Sequence, residues 1–133
     1  MLPAVRHTWA ALWHRECPMS TPLDLVPEIL QQAKRLAAAH HLHNLSLLQG
    51  DATDLPWIDA QFDLVVCRLT LNQVGDPAAV VRENVRVTKD GGRIAVIDMI
   101  ADPTPRIAEE TNRLLRLRDR SQGRTLTAAE ITT

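Results

Sequence analysis

Four polar residues each follow a short apolar stretch: Asp24 after "TPL", Asp51 after "LSLLQG", Arg68 after "FDLVVC" and Asp98 after "RIAVI". A carboxylate can accept hydrogen bonds from two vicinal hydroxyls at once, so Asp24 suits a ribose. Asp51 could accept from an amino group on an adenine edge. Leu25 and Ala52 stand next to these acids and would offer apolar walls to the flat ring. Polar and apolar residues side by side in this way suit a nucleoside. Aspartate also favours turns and helix caps for its own reasons, and any one of these acids alone reads as a turn residue. Their order, one at the end of each apolar run, is what points to a ligand.

The elements that must position these residues alternate. Pro27 is suited to a first helical position, and Val26, Ile29, Leu30, Ala33, Leu36 and Ala37 follow with helical spacing. That helix ends near "HHLHN", and "LSLLQGD" reads as a short strand leaving through Gly50. "DATDLPWIDAQ" is turn material, with Trp57 and Phe62 packing beneath it. "FDLVVC" is a continuous apolar run of the kind buried on both faces of a parallel sheet. "DPAAVVRENVRV" opens with Asp76 as cap and Pro77 as first helical residue. "KDGG" then turns the chain, and "RIAVID" is a further buried strand. "TPRIAEETNRLLRLRDR" carries Ile107, Thr111, Leu114 and Leu115 on one face, an amphipathic helix. Thr127 and Glu130 have the spacing of a capping box.

Strand and helix alternate from about residue 23 onward. This order argues for an α/β fold, a parallel sheet with helices packed on its faces. Ligands in such sheets bind outside the carboxyl ends of the strands, where the four polar residues lie.

Composition narrows the function classes. The 133 residues have a net charge of −1, with 45% hydrophobic and 23% charged residues, ordinary for a globular domain. No global field favours nucleic acid or an anionic membrane. With no tyrosine and 3% aromatic residues, platforms for stacking bases are few. The arginines Arg113, Arg116, Arg118, Arg120 and Arg124 are diluted by Glu109, Glu110 and Asp119, a solvated helix face rather than a basic stripe. His40, His41 and His43 match no metal-ligand spacing. Cys17 and Cys67 lie far apart and read as free thiols in a reducing compartment. No stretch has the length of a membrane span, and the expected location is the cytoplasm. Trp9 and Trp13 are four apart and would share a helical face.

"LDLVPEILQQAKRLA", "LLQGDATDLPW", "FDLVVCRLTLNQVGDP" and "RVTKDGGRIAVIDM" resemble successive motifs of class I S-adenosylmethionine-dependent methyltransferases. They are similar above all to the small-molecule enzymes of ubiquinone and menaquinone biosynthesis. The resemblance covers about residues 23–124, and "LRLRDRSQGRTLTAAE" resembles the segment after the fifth strand. It implies a Rossmann-like parallel sheet with helices on both faces. It also implies S-adenosylmethionine as cofactor and a small-molecule methyl acceptor as substrate. By position, Asp24 matches the acid on the cofactor's ribose and Leu25 its apolar neighbour. Asp51 and Ala52 match the pair that reads the adenine edge. Arg68 lies in the segment that approaches the cofactor and opens toward the substrate. No catalytic base is expected among them, and no metal.

The chain departs from the family pattern in its first 22 residues, an atypical segment with no glycine and no GxGxG loop after a first strand. The expectation is a partial methyltransferase domain over residues 23–133, truncated and incomplete at both ends. Val26 stands where the family usually caps the helix with Ser or Thr, and Asn72 and Gln73 where many relatives keep histidine. A nicotinamide-type oxidoreductase would need the same missing glycine-rich loop, and "GDATDLPW" favours the methyltransferase. The rival from another class is a catalytically inactive fragment acting as a binding or dimerisation module. It would self-associate through open sheet edges.

Overall fold

The computed structural model describes residues 18–118, 120 and 123–132. The expectations placed on Trp9, Trp13 and Cys17 lie outside the described residues. The chain divides into two compact units, residues 1–52 and 53–133, each taken by itself.

In the first unit, β1 (Leu23–Asp24), α1 (Pro27–Ala39) and β2 (Leu48–Gln49) follow in order. The two strands pair in parallel, with Leu23 opposite Leu48 and Asp24 opposite Gln49. A parallel bridge between Ser20 and Leu45 precedes them. Pro27 opens α1, where its fixed φ suits the first turn and its missing N–H is not needed. Val26 is the cap residue, extended and without a side-chain bond to the helix. At the other end His41 takes φ +54°, and the Leu42 amide donates to the Ala37 carbonyl at 2.9 Å. That left-handed residue turns the chain out of the helix and satisfies its last carbonyls. The three histidines form no metal cluster; among the described residues there is none.

In the second unit the order is β3 (Phe62–Arg68), α2 (Pro77–Val87), β4 (Thr88–Ile97), α3 (Pro105–Arg118) and α4 (Ala128–Thr132). β3 and β4 run parallel, from Leu64 opposite Arg93 to Arg68 opposite Ile97, and α2 connects them. The expected cap forms, with the Ala79 amide donating to the Asp76 carboxylate at 3.0 Å. α2 buries Val80, Asn84 and Val87. Val80 and Val87, with Leu55, Cys67, Leu71 and Ala101, make the apolar core of this unit. Trp57 meets Phe62 edge to face, ring centroids 5.0 Å apart.

Two expectations change here. The apolar strands are not buried on both faces: Cys67 is buried, but Val66, Ile94, Val96 and Ile97 are exposed. The reason is the layering, since among the described residues the sheet is two strands wide and its apolar runs exceed what α2 covers. "KDGG" does not end one element before another. It lies inside β4, where the register slips between Phe62 and Leu64 and Gly91 takes φ +77°. The helix over 105–118 forms as expected, yet Ile107 and Leu114 of its apolar face are half exposed. The capping box is present: the Thr127 amide donates to Glu130 at 2.8 Å and the Glu130 amide to the Thr127 hydroxyl at 3.3 Å. None of the described helices is long and apolar enough to cross a membrane.

Candidate functional site

Because β1 and β2 are parallel neighbours, their carboxyl ends share one edge. That edge carries Asp24 and Leu25 from one strand, and Asp51 and Ala52, two and three residues beyond Gln49, on the other. Four of the five sequence-derived site residues are thus brought together. The approach is close. The Gly50 amide donates to the Asp24 carbonyl at 3.2 Å, and a Cβ on Gly50 would stand 2.8 Å from Leu23 Cδ1. The Gln49 side-chain amide donates across to the Leu25 carbonyl at 3.2 Å. These bonds fix the backbone on which the four residues sit.

Asp24 is half-buried, and its Oδ1 accepts the Val26 amide at 2.9 Å. This bond turns the chain from strand into helix and takes over part of the capping that Val26 cannot give. Among the described residues Oδ2 carries no hydrogen bond, so one carboxylate oxygen remains for a ligand hydroxyl. Leu25 is 64% exposed, an apolar surface beside that oxygen. The chemistry of this edge fits a ribose and its base: one oriented acceptor, a second acid on the adjacent strand, and an apolar wall.

Arg68 ends β3 in the second unit, half-buried, and its carbonyl accepts the Thr70 hydroxyl at 3.2 Å. Leu69 follows at φ +51°, a backbone conformation uncommon for a bulky side chain. Asp98, the fourth polar strand end, has both oxygens engaged. It accepts the Leu71 amide and the Met99 amide, each at 2.8 Å. It therefore clamps the backbone after β3 to the end of β4, a role that spacing alone did not reveal.

A second cluster was not anticipated. Arg86 on α2 donates to Glu83 at 2.6 and 2.7 Å, to the Leu55 carbonyl at 3.0 Å, to the Trp57 carbonyl at 2.7 Å and to Asp59 at 2.8 Å. Glu83 in turn accepts the Leu55 amide at 2.7 Å. The guanidinium beside Glu83 and the Leu55 amide hold its carboxyl at about 2, well below the ordinary 4.5. The only signal in the sequence was a charge pair three apart on a helix, which is common on solvated faces. Its long-range partners could not be read from spacing.

Parallel strand pairs with connecting helices, and acids at two adjacent strand ends, are what these features describe. Comparison with known proteins makes the class specific. The family described as "Methyltransferase domain" matches residues 15–130. An uncharacterized methyltransferase, YcgJ of Bacillus subtilis, is 34% identical over 108 residues, 81% of this chain and 43% of the relative. Its crystal structure superposes with a TM-score of 0.87 at 31% identity, over 92% of this chain and 53% of that one. Demethylmenaquinone methyltransferase of Listeria monocytogenes is 38% identical over 78 residues, 59% of this chain and 33% of the relative. The chain belongs to the class I S-adenosylmethionine-dependent methyltransferase family, with its Rossmann-like α/β fold. It spans half or less of the length of these curated relatives.

Proposed function

We propose that this chain binds S-adenosylmethionine and serves methyl transfer to a small molecule. The observation that carries the reading is the shared edge of β1 and β2. Asp24 and Asp51 stand there at adjacent strand ends, with Leu25 exposed and Gly50 allowing close approach. Asp24 accepts the ribose hydroxyls through the oxygen that Val26 leaves open. Asp51 and Ala52 read the adenine edge, and Leu25 covers the ring. Arg68, at the end of β3, is assigned to the cofactor by its match to the family's segment that approaches it.

The cofactor, when bound, supplies a methyl carbon on a sulfonium, already electrophilic enough for in-line displacement. What remains for the protein is orientation and exclusion of water. No general base is assigned among the described residues. The small-molecule acceptor is supported by the relatives, one of which is named for demethylmenaquinone.

Thermal unfolding with S-adenosylhomocysteine, the demethylated product, tests the reading. Ligand at about 100 times its dissociation constant adds roughly 2.7 kcal/mol to the native state. The midpoint is expected to rise in proportion to the logarithm of ligand concentration. A cooperative transition that stays in place at millimolar ligand would overturn the assignment.

A further inference from the structure

The pairing of β1 with β2 ends at Asp24 opposite Gln49, where the Gly50 amide donates to the Asp24 carbonyl at 3.2 Å. Two residues on, the Val26 carbonyl already belongs to α1. It accepts the Ile29 amide at 3.1 Å and the Leu30 amide at 3.4 Å. Leu25 therefore lies between ladder and helix, and burial does not hold it, since it is 64% exposed. Two side-chain bonds bracket it instead. The Asp24 carboxylate accepts the Val26 amide at 2.9 Å and closes a turn over Leu25. From the other strand, the Gln49 side-chain amide donates to the Leu25 carbonyl at 3.2 Å.

Gln49 suits this task by place and by chemistry. As the register partner of Asp24, it sends its side chain from the same face of the strand pair. A carboxamide there supplies a donor without a second negative charge beside the Asp24 carboxylate. The bond adds nothing to a core, because Gln49 is itself exposed. What it fixes is the residue that carries the apolar wall. A wall already in place loses little freedom when a ring packs on it, and such preorganisation lowers the entropic cost of binding.

We propose that Gln49 is a positioning residue for the nucleoside site. It acts through Leu25, holding that side chain where it covers the ring, and touches no ligand itself. Both residues belong to one compact unit, 1–52. The inference rests on the binding of S-adenosylmethionine proposed above.

Two measurements on the full chain test it, both with S-adenosylhomocysteine as probe. In the first, Gln49→Met keeps the length of the side chain and removes the donor. The dissociation constant is expected to rise about fivefold, the worth of one net hydrogen bond. In the Leu25→Ala background the same change is expected to add less than about twofold, because the wall it positions is gone. Equal losses in both backgrounds would overturn the proposal, since a role independent of Leu25 is additive. The second measurement needs no variant. Coupling is reciprocal, so a bond that favours ligand is itself tightened by ligand. Followed by NMR, saturating ligand is expected to slow exchange of the Gln49 Nε2 protons with water about fivefold. The side-chain amides of Gln31 and Gln32, exposed on α1, are expected to slow less. Equal slowing of all three, or none, would overturn the proposal even if Gln49→Met fails to fold. Absence of any binding to the unmodified chain would defeat the binding reading and this inference together. Binding with Gln49→Met unchanged would defeat this inference alone.

Discussion

Gly92 offers a sharp test of the way β3 and β4 are joined. An added Cβ there would lie 2.7 Å from Thr88 Cγ2, 2.8 Å from the Lys89 carbonyl oxygen and 3.1 Å from the Asp63 carbonyl oxygen. The first contact is a methyl that can turn away. The other two are backbone oxygens, one in the slipped segment of β4 and one in β3, and they can retreat only by distorting the pairing. Overpacking of this kind typically costs about 1–3 kcal/mol, and rigid backbone neighbours put Gly92→Ala at the upper end. The smaller entropy of the unfolded alanine chain returns about 0.4–1 kcal/mol. The net is about 2 kcal/mol, or roughly 6–8 °C in midpoint for a chain of this length. Gly75→Ala is the internal control, because a Cβ there meets nothing within 4 Å, and it is expected to be neutral or slightly stabilising. Calorimetric unfolding of both variants beside the parent decides the matter. A Gly92→Ala midpoint within about 2 °C of Gly75→Ala would refute the close approach on which the argument stands.

Other outcomes follow from the same structure. Val80 is fully buried on α2, and Val80→Ala should cost about 2 kcal/mol in urea unfolding for the lost methyl groups and the cavity. Leu117 is 71% exposed, so Leu117→Gln should shift stability by less than about 0.5 kcal/mol. Glu83 has a folded-state value of about 2 against an ordinary 4.5. Its contribution is therefore complete above pH 4.5 and is lost as pH falls from there toward 2. In an acid titration of stability, Glu83→Gln should show a shallower decline across that window. Burial pushes the Cys67 thiol above its ordinary value, against weaker opposing bonds from Thr70 and Asn84. Peptide mapping after iodoacetamide should show Cys67 modified only when the chain unfolds.

What could be read from sequence was local. Pro27, the Asp76–Pro77 pair and the Thr127–Glu130 box each act within four residues, and each opens a helix where expected. Parallel pairing also followed, because strand–helix–strand order leaves few alternatives. The grouping of Asp24, Leu25, Asp51 and Ala52 came from the same logic, as ends of adjacent parallel strands. The misses depend on distance along the chain. Asp98 reaches 27 residues back to the Leu71 amide and Arg86 reaches 31 back to the Leu55 carbonyl. Nothing in their own neighbourhoods marks either contact. The exposure of Val66 and Ile94 was misjudged for a related reason. An apolar run shows that a strand can be buried, while the number of layers laid over it decides whether it is.

Calorimetric titration of S-adenosylhomocysteine into the unmodified chain and into Asp24→Asn tests the central assignment most directly. Asparagine can keep the bond from the Val26 amide through its one oxygen, while the position of Oδ2 becomes a donor and the charge is lost. The account predicts saturable binding to the unmodified chain and at least about a tenfold loss in Asp24→Asn, since hydrogen bonds to a charged group contribute about 1.5–3 kcal/mol. Equal affinity in the two proteins, or no binding to either, would contradict it.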